Sequence, residues 1–195
     1  MNIVLAAVGG QGCLFAARVI GKVAQSNGLE VKVSEVHGMS QRGGSVTTFV
    51  RYGKLVASPI VEEGFADVVL AFEMLEGARA LPFLKRGGTM ILNTQRINPL
   101  PVLAGAVLYP SGIPERLQKA GAAVTAIDAL GAAREAGNVK TVNSVMLGVL
   151  AKMSEFDRTH WIGALQEVAP AKYCDINIAA FDKGYHRFPA NNIRG

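Results

Sequence analysis

The feature that most constrains the fold stands at the N-terminus. Ile3 to Val8 is an unbroken apolar run, Gly9-Gly10-Gln11-Gly12 follows, and Ala16, Val19, Ile20 and Val23 then recur at i, i+3, i+4 and i+7. A short continuous apolar run reads as a strand covered on both faces. The later spacing is one apolar stripe of a helix, ending near Asn27-Gly28. Val31 to Val36 largely alternates and reads as a second strand. Strand, glycine turn, helix and strand together predict a βαβ unit with a right-handed crossover.

A chain that opens this way is committed to a sheet with helices packed on it, and the rest of the pattern agrees. Asp67–Phe72 reads as a buried strand, Glu73–Leu84 as a helix with acids in its first turn, and Thr89–Asn93 as a strand introduced by Gly87-Gly88. After the Pro-rich Asn98–Pro101, short strands are expected near Ala106–Tyr109 and Ala123–Ile127, with a helix from Pro114 to Ala120 between them. Helices follow over Ala129–Ala136, Val142–Ser154 and Asp157–Val168, with a last short one over Asp175–Tyr185. One stretch breaks the alternation. Val46–Tyr52 is β-branched and aromatic and is expected to pair with Leu55–Ile60 through Gly53-Lys54, with Pro59 near an edge and Glu62-Glu63 at a solvated end. The expected architecture is α/β: a three-layer α/β/α, Rossmann-like domain with a mostly parallel mixed sheet and an added β-hairpin. It occupies residues 1–188 as a single domain, with 189–195 as a tail.

Composition removes several function classes. Half of the 195 residues are hydrophobic and 18% are charged, which excludes disorder as the dominant state. The formal charge of +5 is spread evenly: residues 1–100 hold ten Lys/Arg and seven acids, residues 101–195 ten and eight, and Lys85-Arg86 is the single adjacent basic pair. A nucleic-acid footprint needs a clustered stripe, so no nucleic-acid partner is expected. The uncharged stretch Ile3–Ala17 is preceded by no basic residue, is interrupted by glycines and is too short to span a bilayer, so no membrane association is expected. Two cysteines, Cys13 and Cys174, cannot ligate a [4Fe–4S] cluster or form a disulfide framework. They point to a reducing, cytoplasmic setting, and any cluster must sit in another chain.

Two loops carry the candidate chemistry. In Gly9-Gly10-Gln11-Gly12 the glycines let backbone N–H groups turn toward an anion at a helix N-terminus. The window lacks the first glycine of G-x-G-x-x-G because Ala7 stands there, although Glu35 lies roughly where a ribose-binding acid would. The alternative is a tight strand-to-helix turn with close packing. In Ser40-Gln41-Arg42-Gly43-Gly44 the Arg42 fork suits a phosphate or carboxylate, or else satisfies carbonyls of a surface loop. His37, His160 and His186 are scattered, so no metal site is expected. Cys13 opens a helix, where thiol acidity can rise, yet without a neighbouring histidine it reads as a small buried residue. Ser40 and Ser45 lack a nucleophile elbow, and Trp161 and Phe181 read as core. No residue is assigned a catalytic role.

The runs Val8–Gly12 and His37–Val46 together resemble the gamma-type subunit of the 2-oxoacid:ferredoxin oxidoreductases. Ser58-Pro59, Ala66-Asp67-Val68, Phe72-Glu73, Gly87-Gly88-Thr89 and Glu135–Asn138 follow the same pattern, as do Asn143 with Leu147-Gly148, and Asn177 with Ala180-Phe181 and Gly184. Val36-His37-Gly38 and Asn93-Thr94-Gln95 are typical of the small (beta) subunits of the indolepyruvate branch. The resemblance implies a subunit, inactive by itself, of a complex that oxidatively decarboxylates a 2-oxoacid such as an arylpyruvate. Coenzyme A is the co-substrate, ferredoxin the electron acceptor, and acyl-CoA and CO2 the products. Thiamine diphosphate and [4Fe–4S] clusters belong to the large partner subunit of a hetero-oligomer. Gly9, Gly10, Gln11 and Gly12, with Ser40 to Gly44, are then expected to meet coenzyme A phosphates or the partner. Alanine tolerates an extended strand end, so the turn should still form with Ala7 in place of the family's usual glycine. Two alternatives stay open: a stand-alone nicotinamide-dependent oxidoreductase, and a non-catalytic scaffold or dimerisation module.

Overall fold

The computed structural model describes residues 1–38 and 44–188. β1 (Asn2–Val8) is buried from Ile3 onward, with Ile3, Leu5 and Ala7 in one core and Val4 and Ala6 in another. Both faces of the strand are covered, which is why its apolar run is unbroken. The chain continues through α1 (Cys13–Ser26), β2 (Glu30–His37), β3 (Ser45–Gly53), β4 (Ala66–Ala71), α2 (Met74–Ala80), β5 (Leu84–Asn93), α3 (Leu100–Leu103) and α4 (Ile113–Lys119). It ends with β6 (Ala123–Ile127), α5 (Ala129–Glu135), α6 (Val142–Met153), α7 (Arg158–Val168) and α8 (Cys174–Arg187). The sheet order is β2-β3-β1-β4-β5-β6. β1, β4, β5 and β6 run parallel, and β3 is antiparallel to both of its neighbours. α1 and α5 to α8 cover one face, α2 and α4 the other, giving the expected three layers.

The larger core includes Trp161 and Phe181, whose rings stack with centroids 6.3 Å apart. The buried indole donates to Ser154 Oγ at 3.2 Å, so its one polar atom is satisfied. α6 and α8 are in backbone contact where Gly148 faces Phe181 and Gly184 faces Val145.

The added hairpin exists, but its strands differ from the expected pair. β3 pairs with β2 and inserts between β2 and β1, splitting the predicted βαβ unit while leaving β1 and β2 parallel. Leu55–Ile60 is not a strand. Its backbone is held by side chains instead: Arg51 Nη1 donates to the carbonyls of Ser58 and Ile60, Lys32 Nζ to that of Ala57, and Val56 N donates to Glu30 Oε2. Pro59 has no N–H to offer a ladder. Glu62 and Glu63 are exposed, in the turn before β4 rather than at a hairpin end. Ala106–Tyr109 is likewise no strand, because Ala106 N and Val107 N fold back onto the Pro101 carbonyl. The last helix extends beyond the expected Asp175–Tyr185, running over 14 residues from Cys174 to Arg187.

Candidate functional site

The site grows from the end of β1. Gln11 N donates to the Val8 carbonyl, and Gly10 and Gly12 take φ of +96° and +84°, a conformation that disfavours a Cβ. Gly9 N donates to the Gly44 carbonyl at 2.9 Å, so the turn lies directly against the second glycine loop. The structure thus brings Gly9 to Gly12 and Gly44 together. Ser40, Gln41, Arg42 and Gly43 lie outside the described residues. Ala7 stays extended, buried and opposite Val46, and the turn forms as expected.

β1 and β4 are neighbours whose chains leave toward opposite faces, β1 into α1 and β4 into α2. In doubly wound sheets a dinucleotide enters at such a point. Here the protein's own amides occupy it. Gln11 Oε1 accepts from Val8 N at 2.8 Å, and its Nε2 donates to the Phe72 carbonyl at 3.1 Å and to Gln95 Oε1 at 3.4 Å. Asn93 Nδ2 donates to the same Phe72 carbonyl at 2.9 Å. Gln11 is therefore a strut across three strand ends, and the filled crevice counts against a nicotinamide cofactor.

Open space lies beside the turn. A cavity of about 610 Å³ is lined by Ala7 to Leu14 with Glu35, His37 and Val46. Glu35 accepts from Thr48 Oγ1 at 2.9 Å and sits 2.7 Å from His37 Nε2. The acid that its spacing singled out does share a cavity with the glycine turn. Cys13 is buried, and burial, followed by the charge of Glu35, pushes its thiol up to about 12. Desolvation outweighs the helix N-terminus here, and the side chain is inert packing.

The residue that sequence reasoning left without a role is Asn143. It is buried at the start of α6, its Oδ1 accepts from Ser144 N at 2.8 Å, and its Nδ2 has no acceptor among the described residues. A Cβ at position 12 would lie 2.4 Å from that Nδ2, so Gly12 is glycine for space as well as for φ. α1 and α6 both begin without a side-chain cap or an acid in the first turn. Exposed Lys140 lines a neighbouring cavity of about 410 Å³ with Phe15, Thr141 and Asn143. Around the start of α1 the chain therefore presents donors and positive charge, the set an anion requires. No group of three or more His, Cys, Asp or Glu among the described residues is placed to hold a metal ion.

Comparison with known proteins covers the same span. The profile of the family described as pyruvate ferredoxin/flavodoxin oxidoreductase matches residues 2–187. The indolepyruvate oxidoreductase subunit IorB of Pyrococcus horikoshii is 42% identical over 190 residues, covering 94% of this chain and 93% of that protein. Among solved structures, the keto/oxoacid ferredoxin oxidoreductase gamma subunit of Geobacter sulfurreducens shares the fold, with a TM-score of 0.72, 20% identity and coverage of 95% and 96%. The 2-oxoglutarate:ferredoxin oxidoreductase of Magnetococcus marinus, solved with 2-oxoglutarate, coenzyme A and succinyl-CoA bound, aligns with a TM-score of 0.74 and 21% identity. That alignment covers 98% of this chain but 32% of that one. A family match running through both glycine loops and on to α8, with the fold of a gamma subunit, settles the classification: the chain belongs to the pyruvate ferredoxin/flavodoxin oxidoreductase family.

Proposed function

We propose that the chain is the small subunit of a 2-oxoacid:ferredoxin oxidoreductase acting on an arylpyruvate of the indolepyruvate type. The observation that carries this reading is the end-to-end likeness to an indolepyruvate oxidoreductase subunit, 42% identical with neither chain much longer than the alignment. The reaction takes a 2-oxoacid, coenzyme A and two oxidised ferredoxins to acyl-CoA, CO2, two reduced ferredoxins and a proton. Thiamine diphosphate and [4Fe–4S] clusters, held by a large partner subunit, supply the decarboxylation and electron transfer. The two cysteines of this chain are too few for such a cluster and are both free thiols, which fits a reducing cytoplasm. Among the described residues no helix is long and apolar enough to cross a membrane.

This chain's own part is binding and shape. The start of α1, Asn143 Nδ2 and Lys140 hold a phosphate of coenzyme A, while Glu35 accepts from a hydroxyl or amino group in the adjoining cavity. The loop bearing Ser40, Gln41, Arg42, Gly43 and Gly44 faces the partner and adds the Arg42 fork. Leu100, Leu103, Val107 and Leu108, which are 77%, 69%, 55% and 93% exposed, form apolar surface for that partner. Arg42→Ala in the assembled complex is expected to raise the KM for coenzyme A about tenfold or more, the worth of one charge-assisted phosphate contact. Steady-state kinetics with varied coenzyme A check this. Unchanged assembly, coenzyme A dependence and turnover would remove Arg42 from the site.

A further inference from the structure

Glu76 is a buried carboxylate outside the proposed coenzyme A contacts. Its side chain is 5% exposed, and its backbone N–H is capped by Glu73 Oε2 at 2.9 Å in the first turn of α2. Oε1 accepts from Arg79 Nη1 at 2.7 Å, and Oε2 accepts from Ser45 Oγ at 2.5 Å. A desolvated carboxylate is costly unless its hydrogen bonds are satisfied, and here one of the two goes to a neutral hydroxyl at the foot of β3. That hydroxyl is at a junction. The Ser45 carbonyl accepts from Gly38 N at 2.9 Å and closes the second glycine loop, while the preceding Gly44 carbonyl accepts from Gly9 N. α2 packs on the sheet face opposite α1, so the contact from Glu76 to Ser45 ties the rear layer to both glycine loops.

We propose that Glu76 is a positioning residue: through Ser45 it fixes Gly44 against Gly9 and so holds the turn at Gly9 to Gly12 in place for the anionic co-substrate. Arg79 supplies the counter-charge that lets the carboxylate act as a rigid acceptor there. The inference rests on the proposed placement of coenzyme A, and its test separates the two.

The experiment uses the assembled complex with Ser45→Ala, which deletes one oxygen atom and leaves the Glu76–Arg79 pair intact, and Ser45→Thr, which keeps the hydroxyl. Hydrogen exchange at the Gly9 amide and the KM for coenzyme A are read together. Ser45→Ala is expected to speed Gly9 exchange and to raise the KM about tenfold, with kcat and assembly unchanged, as befits one charge-assisted hydrogen bond. Ser45→Thr is expected to behave as wild type. Unchanged Gly9 exchange in Ser45→Ala overturns the positioning role. Faster Gly9 exchange with an unchanged KM upholds it and overturns instead the placement of coenzyme A at this turn.

Discussion

Gly184→Ala is expected to lower the melting temperature of the chain by about 10 °C. α6 and α8 touch backbone to backbone there: a Cβ at residue 184 would stand 1.9 Å from the Val145 carbonyl oxygen, and one at residue 148 would stand 2.0 Å from that of Phe181. Neither obstacle is a flexible side chain that swings aside, so the helices must separate by more than 1 Å. Phe181 lies between these contacts, stacked on Trp161 and flanked by Tyr185, and separation loosens that aromatic packing as well. Overpacking of this kind costs about 3 kcal/mol or more, and in a domain of this size each kcal/mol moves the midpoint by roughly 2–4 °C. Gly163→Ala in α7 is the control. Nothing lies within 4 Å of its Cβ position, and helix propensity predicts a gain of about 0.5–1 kcal/mol. Thermal melts of the two variants should therefore move in opposite directions.

The second large effect is alkaline. Unfolded, Cys13 titrates near its ordinary value of 9.0; folded, burial and Glu35 push it up to about 12. Between those values the native thiol keeps a proton that the unfolded chain has lost, so stability falls as pH rises through 9. The expected slope is about 1.4 kcal/mol per pH unit from this one group. Cys13→Ala deletes the thiol and removes that slope, at a cost of about 1 kcal/mol near neutrality for the lost packing. Burial also raises Tyr52 and Tyr109, but these residues are common to both proteins, so the difference between them isolates Cys13. Denaturant titrations from pH 7 to 11 should show wild type ahead at pH 7 and behind by about pH 10.5. A constant difference across that range would mean that the thiol is solvated.

How far the sequence carried the fold depended on the range of the interaction that decides each element. The opening strand, turn and α1 were legible because apolar period and glycine placement are local signals. The partner of β3 was not, since β-branched residues at 46 to 52 favour a strand without saying which strand they join. Arg51 and Glu30 then satisfied the segment at 55 to 60 from a distance, which no local pattern encodes. Tyr109 looked like a strand residue; its hydroxyl instead donates 2.5 Å to Glu73 Oε1, a carboxylate that also accepts from Ile97 N. α8 runs from Cys174 to Arg187, past the Asp175–Tyr185 expected from the sequence, with Asn177 and Gly184 inside it. Both are there for α6: Asn177 Oδ1 accepts from Ser144, and Gly184 permits the close crossing.

The site divides the same way. The glycine turn is a local signal, and Glu35, singled out by its spacing, lines the cavity beside it. Asn143 was quoted only as part of a family pattern, because its position over Gly12 follows from how α6 is laid on the sheet. Its legible trace is an Asn-Ser pair in the first turn of a helix that is apolar from Val145 to Ala151. Gln11 lines the cavity beside the turn and is also a strut that closes the crevice between β1 and β4, a role that rests on the distant Phe72 carbonyl.

Relatives of this chain are subunits of oxidoreductases, and on the proposed function it works only inside such a complex. The most direct test is anaerobic affinity purification of the tagged chain from its native extract, with thiamine and iron analysis and an assay for coenzyme A-dependent ferredoxin reduction by an arylpyruvate. The expected result is a stoichiometric large partner, both thiamine diphosphate and iron in the purified complex, and reduction that requires coenzyme A. A chain that elutes alone, with no thiamine-bearing partner and no 2-oxoacid-dependent reduction, would contradict it.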